Sequence, residues 1–188
     1  MNLTAALAHL FPGLTFGPSG ECRVEVNGGA EFIAEWRRPE PQPTAAEIEA
    51  ARKPAALALV TERIKAERDR RELEDGIPVT FPGLDGVWRF HSDTLGGRHL
   101  LGLFNVALKM RVAQLPGSTP MPGEPGTLGF KTMGREERVQ LTVDRVELLE
   151  QATFAKAGAL HAAAVAHIAA AALLDDPLAY DYSTGWPE

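Results

Sequence analysis

Cys22-Arg23-Val24-Glu25-Val26-Asn27-Gly28-Gly29-Ala30-Glu31-Phe32-Ile33-Ala34-Glu35-Trp36 is the stretch from which the fold is read. Residues 22–26 alternate apolar and polar, the period of a half-buried strand. Asn27-Gly28 is a strong hairpin turn signal, and Phe32-Ile33-Ala34-Glu35-Trp36 reads as the returning strand. Upstream, Phe11-Pro12-Gly13-Leu14 marks a turn, so residues 1–38 are expected to form a small β lobe. Downstream, Pro39, Pro41 and Pro43 alternate with polar residues, the composition of a stiff extended connector and of a domain boundary.

Beyond the connector the pattern turns helical. Thr44-Ala45-Ala46-Glu47 is a capping box in which Thr44 caps and Glu47 reaches back. Pro54 lies inside the helical pattern and is expected to break or kink it near Lys53. Leu57, Val60 and Ile64 then share a stripe. Residues 65–75 are almost all charged, with Glu67–Arg71, Arg68–Glu72 and Arg70–Glu74 four apart; exposed pairs of this kind contribute about 0.2–0.5 kcal/mol each. The plainest reading is a solvated helix end. The sharper one is a helix whose charges register against a partner copy; if helix 55–73 mediates oligomerisation, Leu57→Asp with Ile64→Asp should yield a folded monomer. Gly76 should end this helix.

Phe81-Pro82-Gly83-Leu84 repeats the earlier turn motif. In Val87-Trp88-Arg89-Phe90-His91 the alternation puts Trp88 and Phe90 on one strand face. Asp93 or Thr94 can cap the next helix, whose Leu100, Leu101, Leu103, Phe104, Leu108 and Val112 make a wide apolar face expected in a core. Residues 116–129 read as a long loop rich in Pro and Gly. Two short strands, at 128–133 and 139–141, should flank a polar turn. Thr142 caps a long helix to about Leu174, with a stripe of Val146, Leu149, Thr153, Ala157, Leu160, Ala164 and Ile168 or His167. Tyr180, Tyr182 and Trp186 make the tail aromatic, so it should fold back onto the body or dock on a partner. The fold class that results is α+β in three parts: a hairpin lobe at 1–38, a Pro-rich connector and charged helix at 39–75, and a module of short β elements with two substantial helices at 76–188.

Composition narrows the function. With 188 residues, 19 Lys plus Arg and 25 Asp plus Glu, the formal charge is −6. That balance argues against non-specific nucleic-acid binding. One cysteine, Cys22, makes neither an internal disulfide nor a zinc site alone. No signal peptide is read, and the alanine-rich stretch at 157–174 falls short of a strongly apolar span, so a soluble chain made in the cytosol is expected. There is no phosphate-binding loop and no Gly-x-Ser-x-Gly elbow. His161 and His167 point different ways on a helix, and His91-Ser92-Asp93 in extended chain cannot reproduce a triad. No catalytic, metal or cofactor-binding residue is therefore assigned. Trp36, Trp88 and Trp186 are either core plugs or interface anchors.

Several stretches in order carry a resemblance: Ile64-Lys65-Ala66-Glu67-Arg68-Asp69-Arg70-Arg71, Trp88-Arg89-Phe90-His91-Ser92-Asp93, Leu100-Leu101-Gly102-Leu103, Phe130-Lys131-Thr132-Met133, Leu141-Thr142, and the ending from Asp176 to Pro187. Over about residues 41–187 the chain resembles an uncharacterised domain of tailed bacteriophages and prophages, usually found in tail or tail-fibre-associated proteins. It departs from the family pattern at Phe130 and Met133. The resemblance implies a non-enzymatic tail or baseplate component tied to the fibre or receptor-binding apparatus. Its partners would be other phage tail or fibre proteins and copies of itself, without nucleic acid or membrane insertion. Its location would be the virion tail. The alternative is a tail-fibre assembly chaperone confined to the host cytoplasm, and the remote one a glycan- or cell-wall-degrading enzyme with a carboxylate pair. Interaction residues would be Leu57, Ile64, Arg68, Arg71, Trp88, Tyr180, Tyr182 and Trp186.

Overall fold

In a computed structural model of the chain, residues 3–122, 130–135 and 138–187 are described. The fold is α+β. In chain order, helix α1 (Leu3–Leu10) precedes strands β1 (Cys22–Asn27) and β2 (Ala30–Trp36), and helix α2 (Ala45–Glu74) follows. Strands β3 (Ile77–Val79) and β4 (Trp88–Phe90) lead into helix α3 (Thr94–Val112), then β5 (Phe130–Lys131), β6 (Arg138–Val139) and helix α4 (Val143–Leu173). A 3₁₀ turn at Pro177–Ala179 closes the list of elements. The strands form three separate antiparallel pairs, β1–β2, β3–β4 and β5–β6.

The chain divides into two compact units, one of residues 1–65 with 165–184, the other of 66–164 with 185–188. The division falls inside α2 and α4, not at the Pro-rich connector, because each long helix contributes one part of its length to each unit.

The first unit contains the hairpin as the alternation implied. Asn27 pairs with Ala30 across Gly28 and Gly29, whose φ values of 57° and 83° suit a tight turn matched to strand twist. The turn therefore centres on Gly28-Gly29, one residue beyond the Asn27-Gly28 signal. The lobe is not purely β. Helix α1 buries Leu3 and Leu7 with Leu14 and the fully buried Cys22, and Phe11, Phe16, Val24, Ile33, Trp36 and Ile48 pack around them. Burial pushes the Cys22 thiol pKa up. The α2 capping box forms: Thr44 Oγ1 accepts from Glu47 N at 3.3 Å, and Glu47 Oε2 accepts from Thr44 N at 2.7 Å. Contrary to expectation, Pro54 does not break α2, which runs for 30 residues. Pro54 and Ala50 both face solvent, so water can serve the carbonyl that proline leaves unbonded, while Ala51, Ala55, Ala56, Val60 and Ile64 are buried.

The second unit is organised around Ile77, Val79, Phe81, Trp88, Phe90, Leu100, Ala107, Met121, Val139, Leu141, Val143, Val146 and Leu149. Trp88 and Phe90 share the buried face of β4, with Arg89 exposed between them. Its partner β3, missed in the sequence because Pro78 sits at its centre, is short enough to carry a proline. Leu84 N donates to Phe81 O at 3.1 Å and Leu14 N to Phe11 O at 3.0 Å, so the two Phe-Pro-Gly-Leu segments are the same turn. Asp93 caps α3, its Oδ1 accepting from Gly96 N at 2.7 Å. Of the loop at 116–129, the first part is anchored by Met121 N to Leu141 O at 2.9 Å and Val143 N to Thr119 O at 3.1 Å. Residues 123–129, and Glu136 and Glu137 of the second turn, lie outside the described residues.

The apolar face expected for α3 is only half buried. Leu100 and Ala107 are in the core, but Leu101, Leu108 and Val112 are 61%, 62% and 77% exposed. Helix α4 starts after Thr142 as expected, and its stripe resolves to His167, buried with Leu160, Ala164 and Ala171. By length and composition alone α4 is apolar enough to cross a membrane, yet these four positions recur at three- and four-residue spacing, as in a helix that buries one side within protein.

One prediction tests the unbroken helix. Pro54→Ala restores a backbone donor at an exposed interior position and should stabilise the protein by ~1–3 kcal/mol. Urea unfolding should show a higher midpoint at unchanged slope; a lower midpoint would mean that the helix depends on the proline.

Candidate interaction surfaces

The end of α2 in the second unit has carbonyls that no helical N–H can reach. Side chains from three other segments supply donors. Lys156 of α4 donates from Nζ to Arg71 O at 2.9 Å and Gly76 O at 2.6 Å. Arg89 donates to Asp75 O at 3.2 Å, and Ser92 Oγ to Leu73 O at 3.3 Å. Burial pushes the Lys156 pKa down, opposed by Asp75, assisted by Arg89 and opposed again by Glu72. The chain turns at Gly76, with φ of 67°, where a Cβ would lie 2.9 Å from Phe90 O. Lys156 was not singled out from sequence, although it is the one Lys or Arg between Arg145 and the end of α4.

Around this capped end lies a groove of about 370 Å³, mainly apolar, with Ile77, Leu100 and Phe104 in its lining and Glu72, Ser92 and Lys156 as polar groups. Leu73, Leu101 and Phe154, also in the lining, are 48%, 61% and 69% exposed. The first unit carries a cleft of different character, about 320 Å³, lined by Glu49, Arg52, Lys53, Ala56, Asp175, Asp176 and Pro177. Charges of both signs share it, and Arg52 is paired with Glu49 at 2.8 Å.

Ion pairs absorb much of the remaining charge. Glu67 accepts from Arg70 at 2.8 Å and Arg71 at 2.7 Å, which holds its carboxyl at about 2. Arg111 of α3 donates to Glu147 of α4 at 2.5 and 2.8 Å and also reaches Asp144, lowering the Glu147 pKa. Among the described residues no group of three or more His, Cys, Asp or Glu is placed to hold a metal ion.

The interaction residues read from sequence separate into two sets. Leu57, Ile64, Tyr180 and Tyr182 belong to the first unit, Arg68, Arg71, Trp88 and Trp186 to the second. Ile64 is 0% exposed and Leu57 half-buried, so Leu57→Asp with Ile64→Asp would break a core rather than release a monomer. Trp88 is buried at 5% exposure under the Arg135 guanidinium, 4.4 Å from its ring centre, and so is a core residue. Arg68 pairs with Asp69 at 2.5 Å instead of with Glu72. Arg71 and Trp186 do come together, the guanidinium 5.4 Å from the indole centre. The tail folds back: Tyr180 OH lies 2.8 Å from His167 Nδ1, and Tyr182 and Trp186 are half-buried. Exposed apolar groups occur in both units; those of α3 and the groove, Leu73, Leu101, Leu108, Val112 and Phe154, are not among the interaction residues that the sequence suggests.

Residues 44–184 match the family described as a domain of unknown function, DUF4376. This match covers most of the chain, and the protein belongs to that family. Residues 3–58 match the family described as XkdW protein, which is phage-associated. No curated protein and no solved structure matches the chain. The DUF4376 match spans nearly the same residues as the resemblance read from sequence. The XkdW match covers the N-terminal part that the resemblance left out, and it points to a phage protein.

Two substitutions test this geometry. Lys156→Met removes the half-buried donor to Gly76 O and the second donor to Arg71 O, which keeps Asp75 N, and should cost ~1–3 kcal/mol in urea unfolding; an unchanged midpoint would refute the capping role. Glu67 has a depressed folded-state pKa, so its contribution is present above the unfolded value of 4.5 and fades as pH falls through about 2. Glu67→Gln should cost ~1 kcal/mol at pH 7, allowing for solvent screening, and nothing near pH 2. The same deficit at both pH values would count against the ion pairs.

Proposed function

We propose that this member of the DUF4376 family is a non-enzymatic structural component of a bacteriophage tail or baseplate, associated with the tail fibre or receptor-binding apparatus. The observation that carries the reading is the similarity of residues 3–58 to a phage-associated family, overlapping at residues 44–58 a family match that takes up most of the remaining chain. The ordered resemblance to tail-associated domains gives it the tail.

The chemistry of the surface supports contact rather than catalysis. The carboxylates with shifted pKa values, Glu40, Glu47, Glu67, Glu147 and Asp181, are all shifted down by hydrogen bonds and cations. A general acid working near neutral pH needs the opposite shift. Among the exposed groups are apolar ones, Leu101, Leu108 and Val112 on α3 and Leu73 and Phe154 beside them, the kind of surface that partners cover. In this reading the N-terminal unit anchors the protein, and neighbouring tail or fibre proteins and further copies meet the apolar surface.

Mass spectrometry of purified virions, counted against the major tail protein, tests the proposal. A few copies per particle are expected. Absence from virions together with abundance in infected-cell lysate would overturn the structural role in favour of a fibre-assembly factor.

A further inference from the structure

The exposed side of α3 has a spacing of its own. Leu101, Asn105, Leu108 and Val112 follow one another at intervals of four, three and four. All four are exposed, the three apolar ones at 61%, 62% and 77%. That is the a/d spacing of a two-stranded coiled coil, with Leu101 and Leu108 at d and Asn105 and Val112 at a. The opposite side of α3 already supplies its own core with Leu100 and Ala107, so nothing inside the chain calls for a second apolar row. The a position preceding Leu101 is the exposed Arg98, which limits the apolar seam on its N-terminal side; between Leu101 and Val112 the one polar seam residue is an asparagine at an a position. There it costs stability but fixes register and favours two parallel strands, since two asparagines bond best side by side.

We propose that α3 pairs in parallel with α3 of a second copy of this chain through Leu101, Asn105, Leu108 and Val112. The seam is self-complementary, so a second copy fits it without a separate partner surface. Asn105 donates one amide hydrogen to Leu101 O at 2.9 Å, which leaves its Oδ1 and second hydrogen for the facing Asn105. Of the flanking charges, Arg98 at the preceding a position would meet its own copy and so ends the seam at Leu101, while the others do not oppose pairing. Lys109 at e faces the g position of the partner helix, where Phe104 stands in parallel register, and Arg111 is already neutralised by Asp144 and Glu147. The three apolar seam residues expose roughly 300 Å² per copy, the scale of the largest apolar patch on a typical monomer. With Leu73 and Phe154, which line the groove beside Leu101, two copies would bury on the order of 1,000 Å², where specific interfaces begin. The pairing does not rest on the tail assignment and is tested apart from it.

The test is solution mass of the full chain by light scattering over roughly 5–200 μM. The expected result is a concentration-dependent dimer of the 20.3 kDa chain. Leu108→Glu with Val112→Glu, both exposed, should shift the mass to monomer while the circular dichroism spectrum and melting cooperativity stay wild-type. Leu101→Cys should yield a disulfide-linked dimer under mild oxidation, because parallel d positions face each other; the native Cys22 is buried and does not compete. A monomeric wild type, a trimer, or a dimer that survives the double substitution in a folded protein would overturn the seam. A dimer that the double substitution dissolves but Leu101→Cys fails to cross-link would overturn the parallel arrangement.

Discussion

The half-buried ammonium of Lys156 completes the end of another helix, and much of the second unit's local geometry follows from that. Helix α2 stops at Glu74; Arg71 O accepts from Asp75 N at 3.3 Å, and the carbonyls around this end also take side-chain donors. Lys156, Arg89 and Ser92 supply these from α4, β4 and the segment before α3. Burying an ammonium is costly unless it is fully hydrogen-bonded, and two carbonyl acceptors make the position tenable. The same bonds fix where the chain turns at Gly76. They hold β3 beside β4 and leave Leu73 and Phe154 at the edge of an apolar groove.

Features set by neighbours in sequence were legible. The Thr44–Glu47 box, the Asp93 cap, the start of α4 after Thr142 and both Phe-Pro-Gly-Leu turns each depend on four or so consecutive residues and stand where those residues put them, and the hairpin turn is displaced by a single residue. Other features depend on distant parts of the chain. Pro54 reads as a breaker because propensity is local, but burial of Ala51, Ala55 and Ala56 on the opposite side holds α2 together. Ile64 and Trp88 read as partner contacts because an apolar residue beside charges looks like a surface anchor; only the fold shows that chain from elsewhere covers them. Lys156 carried no signal beyond its isolation among alanines. Nothing in its neighbours announces the carbonyls of residues 71 and 76.

Charge in this protein is mostly spent on the protein itself. Glu67 with Arg70 and Arg71, and Arg111 with Asp144 and Glu147, form local networks that hold helix ends and link α3 to α4. Each exposed pair contributes little. Their effect on function is subtractive: carboxylates held in their ionised form by neighbouring guanidinium groups are poor proton donors at neutral pH. Beside these networks the surface keeps exposed apolar groups, Leu101, Leu108 and Val112 among them.

Helix α3 shows why a hydrophobic face read from sequence is an incomplete instruction. Its apolar residues cover too wide an arc for one neighbour: Leu100 and Ala107 satisfy the core, while Leu101, Leu108 and Val112 stand in solvent. A helix apolar on two sides is normally buried on both. Removing this second face from water would contribute on the order of 25 cal/mol per Å², a gain the isolated chain forgoes. Overall hydrophobicity cannot separate the two faces, since both are rich in aliphatic side chains, the inner one with Phe104 and Met110 besides. Spacing can, because the inner residues follow the needs of one core and the outer ones keep a strict alternation of three and four. The asparagine in that outer row is the discriminating residue: a core would have excluded it, and a solvated face would have had no use for the leucines around it.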